Sequence, residues 1–191
     1  MSKVLNIEAS ELYEKTRNAK TRFIVHEGGA RSSKTYSILL YFITDAYERK
    51  GVEYDIVRET MPALRASAMK DFFAILNNYG IYRESDHNKT ENTYRLHGNT
   101  FNFYSVKEDP QKIRGRKRHK VLLNEANEIA YDVFKQINMR TTEQIIMDYN
   151  PSEEEHWIYD KIIPRKDCTF IHSTYLDNPF IESSIVEAIE S

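Results

Sequence analysis

Short apolar runs alternate along this chain with longer stretches in which apolar residues recur every three or four positions. The run Phe23-Ile24-Val25 predicts a strand over 22–27. After it, Leu39, Phe42, Ile43, Ala46 and Tyr47 share one face of a helix running from 34 to about 50, which Gly51 ends. A second strand is expected at 54–58. Pro62 in a first turn then opens one helix carrying Leu64, Ala68, Phe72, Ile75, Leu76 and Tyr79. Strands alternating with helices in this way predict a mainly parallel sheet flanked by helices, with its ligand at the carboxyl ends of the strands. Ahead of the first strand, residues 1–20 carry Leu5, Ile7, Leu12 and Tyr13 among polar neighbours and read as a segment docking onto the domain.

The pattern then changes. Thr93-Tyr94-Arg95-Leu96-His97 and Thr100-Phe101-Asn102-Phe103-Tyr104 flank Gly98-Asn99, which predicts an antiparallel β-hairpin insert near residues 92–105. The polar stretch 84–91 before it has no apolar period and reads as an exposed loop. Asp109-Pro110 opens a further loop reaching Lys120. Val121-Leu122-Leu123 is a short buried strand ending in Asn124-Glu125. A helix with Val133, Phe134 and Ile137 leads to a strand at 144–147 that ends in Asp148-Tyr149-Asn150-Pro151-Ser152. Ser152 and Glu155 form a capping box for a helix with Trp157, Ile158 and Ile162. A strand at 169–172 and a helix from about Ile181 to Ser191 complete the chain; that helix has no stop signal, so a fragment is expected.

Composition narrows the classes. A length of 191 residues suits one α/β domain, and 40% hydrophobic with 29% charged residues excludes a disordered or fibrous chain. The net charge of −2 gives little global attraction to a polyanion, so nucleic-acid contact has to be local. Six of the ten residues from Gln111 to Lys120 are Lys or Arg, the one strong charge concentration; it reads either as a solvated loop or as a phosphate-contacting one. A single cysteine, Cys168, excludes an internal disulfide, and the six histidines form no zinc-like spacing. No apolar run approaches a membrane-spanning length.

The candidate chemistry centres on Glu27-Gly28-Gly29-Ala30-Arg31-Ser32-Ser33-Lys34-Thr35, between the first strand and the helix after it. Gly28, Lys34 and Thr35 fit the phosphate-binding pattern G-x-x-x-x-G-K-[ST]. In that pattern backbone N–H groups wrap the phosphates, the lysine reaches the terminal phosphates and the hydroxyl holds Mg²⁺. Ser33 stands where the second glycine belongs, and a plain small-residue turn is the competing reading. Asn124-Glu125 has the form of a second ATPase motif with Asn in place of Asp, leaving Glu125 as the available base. Asn124→Asp is accordingly expected to tighten Mg²⁺ dependence. A strand followed by a helix cap is the alternative there.

The ordered set GGARSSKT, VRETMPALRAS, EDPQKIRG, LLNEANEI, MDYNPS and STYLDNPF, spanning roughly residues 22–180, resembles the ATPase half of a tailed-phage terminase large subunit. The resemblance implies an α/β P-loop NTPase fold of the additional-strand (ASCE) type. It further implies ATP hydrolysis with Mg²⁺ that powers movement of double-stranded DNA into a procapsid. Portal protein and small terminase subunit are the implied partners, and a homo-oligomeric ring the implied assembly, with this chain alone expected to be monomeric. The implied location is the host cell cytoplasm, docked on the procapsid. The family's nuclease half is not expected in residues 1–191, which read as a single ATPase domain. By position, Gly28, Gly29, Ala30, Arg31, Ser32, Ser33, Lys34 and Thr35 fall on the nucleotide loop, with Arg31 facing the γ-phosphate. Thr35 and Asn124 fall on the metal side, Glu125 on the catalytic carboxylate and Asn150 on a motif that couples nucleotide state to DNA grip. Arg114 resembles an arginine acting on the neighbouring subunit's ATP. Two further functions compete: a nucleotide-gated DNA-binding or assembly module with weak hydrolysis, motivated by Ser33 and Asn124, and a small-molecule kinase.

Overall fold

In a computed structural model that describes residues 5–151 and 155–191, alternate residues of the central strands enter two separate apolar clusters on opposite faces of one sheet. Ile24, Ile56, Leu122 and Ile146 face one way, and Val25, Val57, Leu123 and Met147 the other. Strands apolar on both faces require helices on both faces. The chain supplies them in the order α1 (Glu11–Asn18), β1 (Phe23–Gly28), α2 (Lys34–Glu48), β2 (Glu53–Arg58), α3 (Met61–Ala66), α4 (Ala68–Asn78), β3 (His87–Asn88), β4 (Thr93–Leu96), β5 (Asn99–Ser105), α5 (Pro110–Gly115), β6 (Arg118–Asn124), α6 (Tyr131–Met139), β7 (Thr141–Tyr149), α7 (Trp157–Lys161), β8 (Cys168–Ser173) and α8 (Ser183–Glu190). Helices α1 to α4 cover the first face, and α5 to α7 the second.

The strand order is β3-β4-β5-β2-β6-β7-β1-β8, parallel from β5 to β8, with β4 and β3 added antiparallel at one edge. Strand β7 lies between β1 and β6, so His26 and Asn124 both stand beside Asp148 in register. The carboxyl ends of β1, β6 and β7 thus open together at one edge of the sheet.

Helix α1 is tied to this edge's supporting face. Ser10 caps it by accepting from Tyr13 N at 3.1 Å, and the Tyr13 hydroxyl lies 2.9 Å from Thr44 Oγ1 on α2. Thr16 donates to Leu12 O at 2.7 Å, so the 3.1 Å contact with the fully buried His26 has Nε2–H as donor. Leu5 and Ile7 pack on the same cluster.

Four local expectations are corrected. The single helix over 62–79 is broken at Ser67, whose backbone leaves the helical region (φ −123°, ψ −103°). Its hydroxyl lies 2.7 Å from Ala63 O and 2.9 Å from Asn124 Oδ1, so a tertiary contact overrides a continuous 3/4 pattern. The hairpin turns on His97-Gly98, not Gly98-Asn99: both residues have positive φ (52° and 75°), as a two-residue hairpin turn of this hand requires. Asn99 begins β5, with its side chain locked between Val52 N (3.0 Å) and Ala46 O (2.8 Å). β5 also pairs in parallel with β2, so the hairpin's second strand belongs to the main sheet. Part of the polar stretch 84–91 is ordered as a 3-10 turn and β3.

The fourth correction concerns the basic run, which is the helix α5 and the start of β6 rather than a loop. Arg118 is fully buried, with Nε 2.8 Å from Asp55 Oδ2, and Lys120 Nζ is 3.0 Å from Asp45 and 2.8 Å from the Tyr41 hydroxyl. Arg116 pairs with Glu53 at 3.1 Å and Lys112 with Asp109 at 3.5 Å. Only Arg114 and Lys117 of the six are exposed. The run therefore neutralises carboxylates on β2 and α2, partners too distant in sequence for the charge pattern to reveal. Ser152 of the expected capping box lies outside the described residues; α7 is preceded by an extended His156.

Candidate functional site

β1 ends in Gly28 because no other residue fits: a Cβ there would lie 2.3 Å from Ser173 O and 2.5 Å from Ser173 Oγ on β8. The chain then turns through Gly29 and Ala30, both exposed, to Arg31 and Ser33 in the left-handed region (φ 72° and 64°). Ser33 thus adopts the conformation that the expected glycine would take freely, at a cost of roughly 1–2 kcal/mol for an L-residue. No side chain caps α2, so its first N–H groups and the positive end of its dipole are left for an anion.

Lys34, the first residue of α2, is 6% exposed and bends back over the loop. Its Nζ donates to Gly28 O (2.7 Å), Gly29 O (3.0 Å), Asn150 Oδ1 (3.0 Å) and Ser32 Oγ (3.2 Å). Burial pushes its pKa down, against the pull of Asp148 and Glu125. Thr35 Oγ1 donates to Asp148 Oδ2 at 2.6 Å. Asp148 Oδ1 in turn accepts from Asn124 Nδ2 and from the Glu125 backbone N–H, each at 2.9 Å. Glu125 itself sits in the left-handed region (φ 49°); burial, then Asp148, pushes its carboxyl pKa up, opposed by Arg58 and Lys34.

The structure therefore brings Gly28, Gly29, Ser32, Ser33, Lys34, Thr35, Glu125 and Asn150 to one place. Asn124 is there too, but its amide faces Asp148 and Ser67, and the hydrogen-bond partner of Thr35 is Asp148. Arg31 is exposed at the rim, its carbonyl accepting from Asn178 Nδ2 at 2.8 Å. Arg114 is not at the site. It lies on α5, on the opposite face from α2, with Nε 3.3 Å from Gln136 Oε1 on α6.

Sequence reasoning missed three members. Asp148 was visible only as the last acid of an apolar strand; its importance depends on β7 lying between β1 and β6. Arg58 at the end of β2 reaches Ser67 Oγ (2.9 Å) and Glu128 (3.3 Å), and Ser67 reaches Asn124. A cavity of about 860 Å³ adjoins the loop, lined by Ile7, Arg31, Ser33, Tyr36, Tyr79 and Phe180 among others, with the Tyr36 and Phe180 rings 6.2 Å apart. Its size and mixed apolar and polar lining suit a small organic ligand.

Among the described residues no three His, Cys, Asp or Glu side chains are grouped to hold a metal by themselves. The Thr35 hydroxyl beside a buried carboxylate is instead a hard-oxygen set, which fits Mg²⁺ completed by water and phosphate oxygens. No helix among the described residues is long and apolar enough to cross a membrane.

A family model described as phage terminase large subunit matches residues 20–191. The fold is similar to the large terminase of a thermophilic bacteriophage (TM-score 0.83, 18% identity), over 96% of this chain and 50% of that one. It is also similar to the large terminase ATPase domain of a Thermus phage (TM-score 0.62, 14% identity, 88% and 82% of the two chains). A third likeness is to a chain of the bacteriophage Phi-29 genome packaging motor (TM-score 0.64, 12% identity, 98% and 64%). The first of these large terminases has also been seen with ADP and with ATP-gamma-S. This chain spans about half the length of that protein. Among curated protein sequences none matches it. These likenesses establish the additional-strand P-loop fold.

Proposed function

The chain belongs to the phage terminase large subunit family, and on that footing we propose that it hydrolyses ATP to drive double-stranded viral DNA into a procapsid. One observation carries the proposal: a phosphate-type lysine and a metal-type hydroxyl at the uncapped N-terminus of α2 meet a half-buried carboxylate, Glu125, at the ends of β1, β6 and β7.

Lys34 rests on loop carbonyls and exchanges them for phosphate oxygens when nucleotide enters, while the N–H groups of α2 bind the same oxygens. Thr35, with water and phosphate oxygens, would hold Mg²⁺, which would supply charge neutralisation on the transferring group. Glu125, half-buried near Asp148, accepts the proton of the attacking water; its raised pKa makes it a better base than a solvated glutamate. The adjoining cavity receives the base and sugar, with Arg31 at its phosphate end. Asn150 is bonded to Lys34, so a lysine drawn toward phosphate releases the end of β7, a direct link from nucleotide state to the chain beyond it.

Family membership supports the remaining assignments. The chain acts in a homo-oligomeric ring with portal protein, small terminase subunit and DNA, in the host cytoplasm on the procapsid, and is monomeric alone. Arg114, exposed and remote from its own loop, acts on a neighbour's ATP. No nuclease activity is proposed for these residues.

Steady-state ATPase measurements with Mg²⁺, with and without duplex DNA and over a range of protein concentrations, test this. Turnover that rises with concentration and with DNA is expected. Nucleotide binding without turnover under every condition would favour the nucleotide-gated module, and absence of both would overturn the proposal.

A further inference from the structure

We propose that Asp148, on β7, provides the metal-directed carboxylate that Asn124 on β6 does not, and that Asn124 is an amide because Asp148 is its neighbour. The proposal rests on Mg²⁺-nucleotide binding at this loop. A hydroxyl that ligates a hard cation through its oxygen has to give its proton to some other acceptor. Thr35 gives it to Asp148 Oδ2, at 2.6 Å, the short distance of a hydrogen bond to an anionic oxygen. Asp148 is 1% exposed and sits in the strand between the loop strand β1 and the Glu125 strand β6, which puts it at the centre of the site.

The second half of the device is Asn124. Asp148 Oδ1 has no proton to offer, so the group 2.9 Å away must be the donor end of the Asn124 amide. The other end, Oδ1, lies 2.9 Å from Ser67 Oγ, which accepts from Arg58 and whose one proton is shared between Oδ1 and Ala63 O at 2.7 Å. The amide is held at its donor end and, together with the Glu125 N–H, orients Asp148. A carboxylate at 124 would replace that donor with a second acceptor at hydrogen-bonding distance, so Asp148 Oδ1 would lose its amide partner and face a like charge in its place. The two residues are partners in the β6–β7 ladder, so the charge has moved one strand sideways while its number at the site stays the same. Asn124→Asp is then harmful, the reverse of the expectation from the motif alone.

Four proteins decide the matter: wild type, Asp148→Asn, Asn124→Asp and the double exchange. Affinity for a fluorescent ATP analogue is measured for each in Mg²⁺ and in EDTA, with thermal melting of the nucleotide-free proteins as the fold control. Loss of an outer-sphere partner typically weakens metal binding about 10–100-fold. Both single variants should lose about that much of the affinity gained from Mg²⁺, with affinity in EDTA retained, and the double exchange should regain most of it. A full Mg²⁺ gain in Asp148→Asn, or a larger gain in Asn124→Asp, would overturn the proposal. If Asp148→Asn does not fold, Asn124→Asp and the double exchange still decide it. Wild type that binds no nucleotide in either buffer would instead refute the ATP-binding premise.

Discussion

Replacing Arg118 with alanine should destabilise this chain more than any loss of a surface cation. Arg118 and Asp55 are both fully buried and paired at 2.8 Å, and the guanidinium also donates to Ile137 O and Lys112 O at 3.3 Å. Truncation leaves Asp55 in the interior with Tyr104 and Asn102 as hydrogen-bond donors and Arg116 Nε, 4.0 Å away, as its remaining cation. Breaking a buried pair from one side costs about 3–5 kcal/mol, against a total stability of about 5–15 kcal/mol for an ordinary domain. With a urea slope of about 2 kcal/mol/M, a loss of about 4 kcal/mol lowers the unfolding midpoint by about 2 M. Lys117→Ala, exposed in the same run, is the control and should stay within about 0.5 kcal/mol of wild type. Equal midpoints for the two variants, with DNA affinity reduced in Arg118→Ala, would refute the structural role of the basic run and return it to nucleic-acid binding.

Ser33→Gly should stabilise the chain by roughly 1 kcal/mol, since the left-handed strain of Ser33 outweighs the added freedom of glycine in the unfolded state; a lower melting temperature would contradict this. His26 is held neutral in the fold, with a pKa lowered to about 3 by burial and by Lys34. The unfolded chain takes up that proton near pH 6.5, so the stabilisation is complete above pH 6.5. It falls by roughly 1.4 kcal/mol per pH unit as the pH drops from there toward 3. His26→Gln should remove that part of the slope in urea titrations between pH 7 and 5, and an unchanged slope would show that His26 does not carry it.

The alternation of strands and helices was legible in the sequence because it depends on local period, and the loop that joins β1 to α2 because its spacing is local too. What lay outside reach depends on pairing between distant segments. The break at Ser67 is made by Asn124 and Arg58 across the sheet, and the burial of Arg118 and Lys120 by acids on β2 and α2. Gly98-Asn99 looked like the hairpin turn, but Asn99 is claimed by carbonyls at the end of α2, which shifts the turn to His97-Gly98. Asp148 shows the same limit at the site. Its acid was visible, whereas its position between β1 and β6 required the strand order.

Single-turnover hydrolysis by Glu125→Gln, read beside nucleotide binding by the same protein and by Lys34→Ala, tests most directly whether this site hydrolyses ATP. Glu125→Gln keeps size and removes the base, so it should bind nucleotide with near wild-type affinity and hydrolyse it about 10²–10⁴-fold more slowly. Lys34→Ala, which removes the cation lodged among the loop carbonyls, should lose binding itself. Hydrolysis by Glu125→Gln at the wild-type rate under saturating ATP would contradict the assignment.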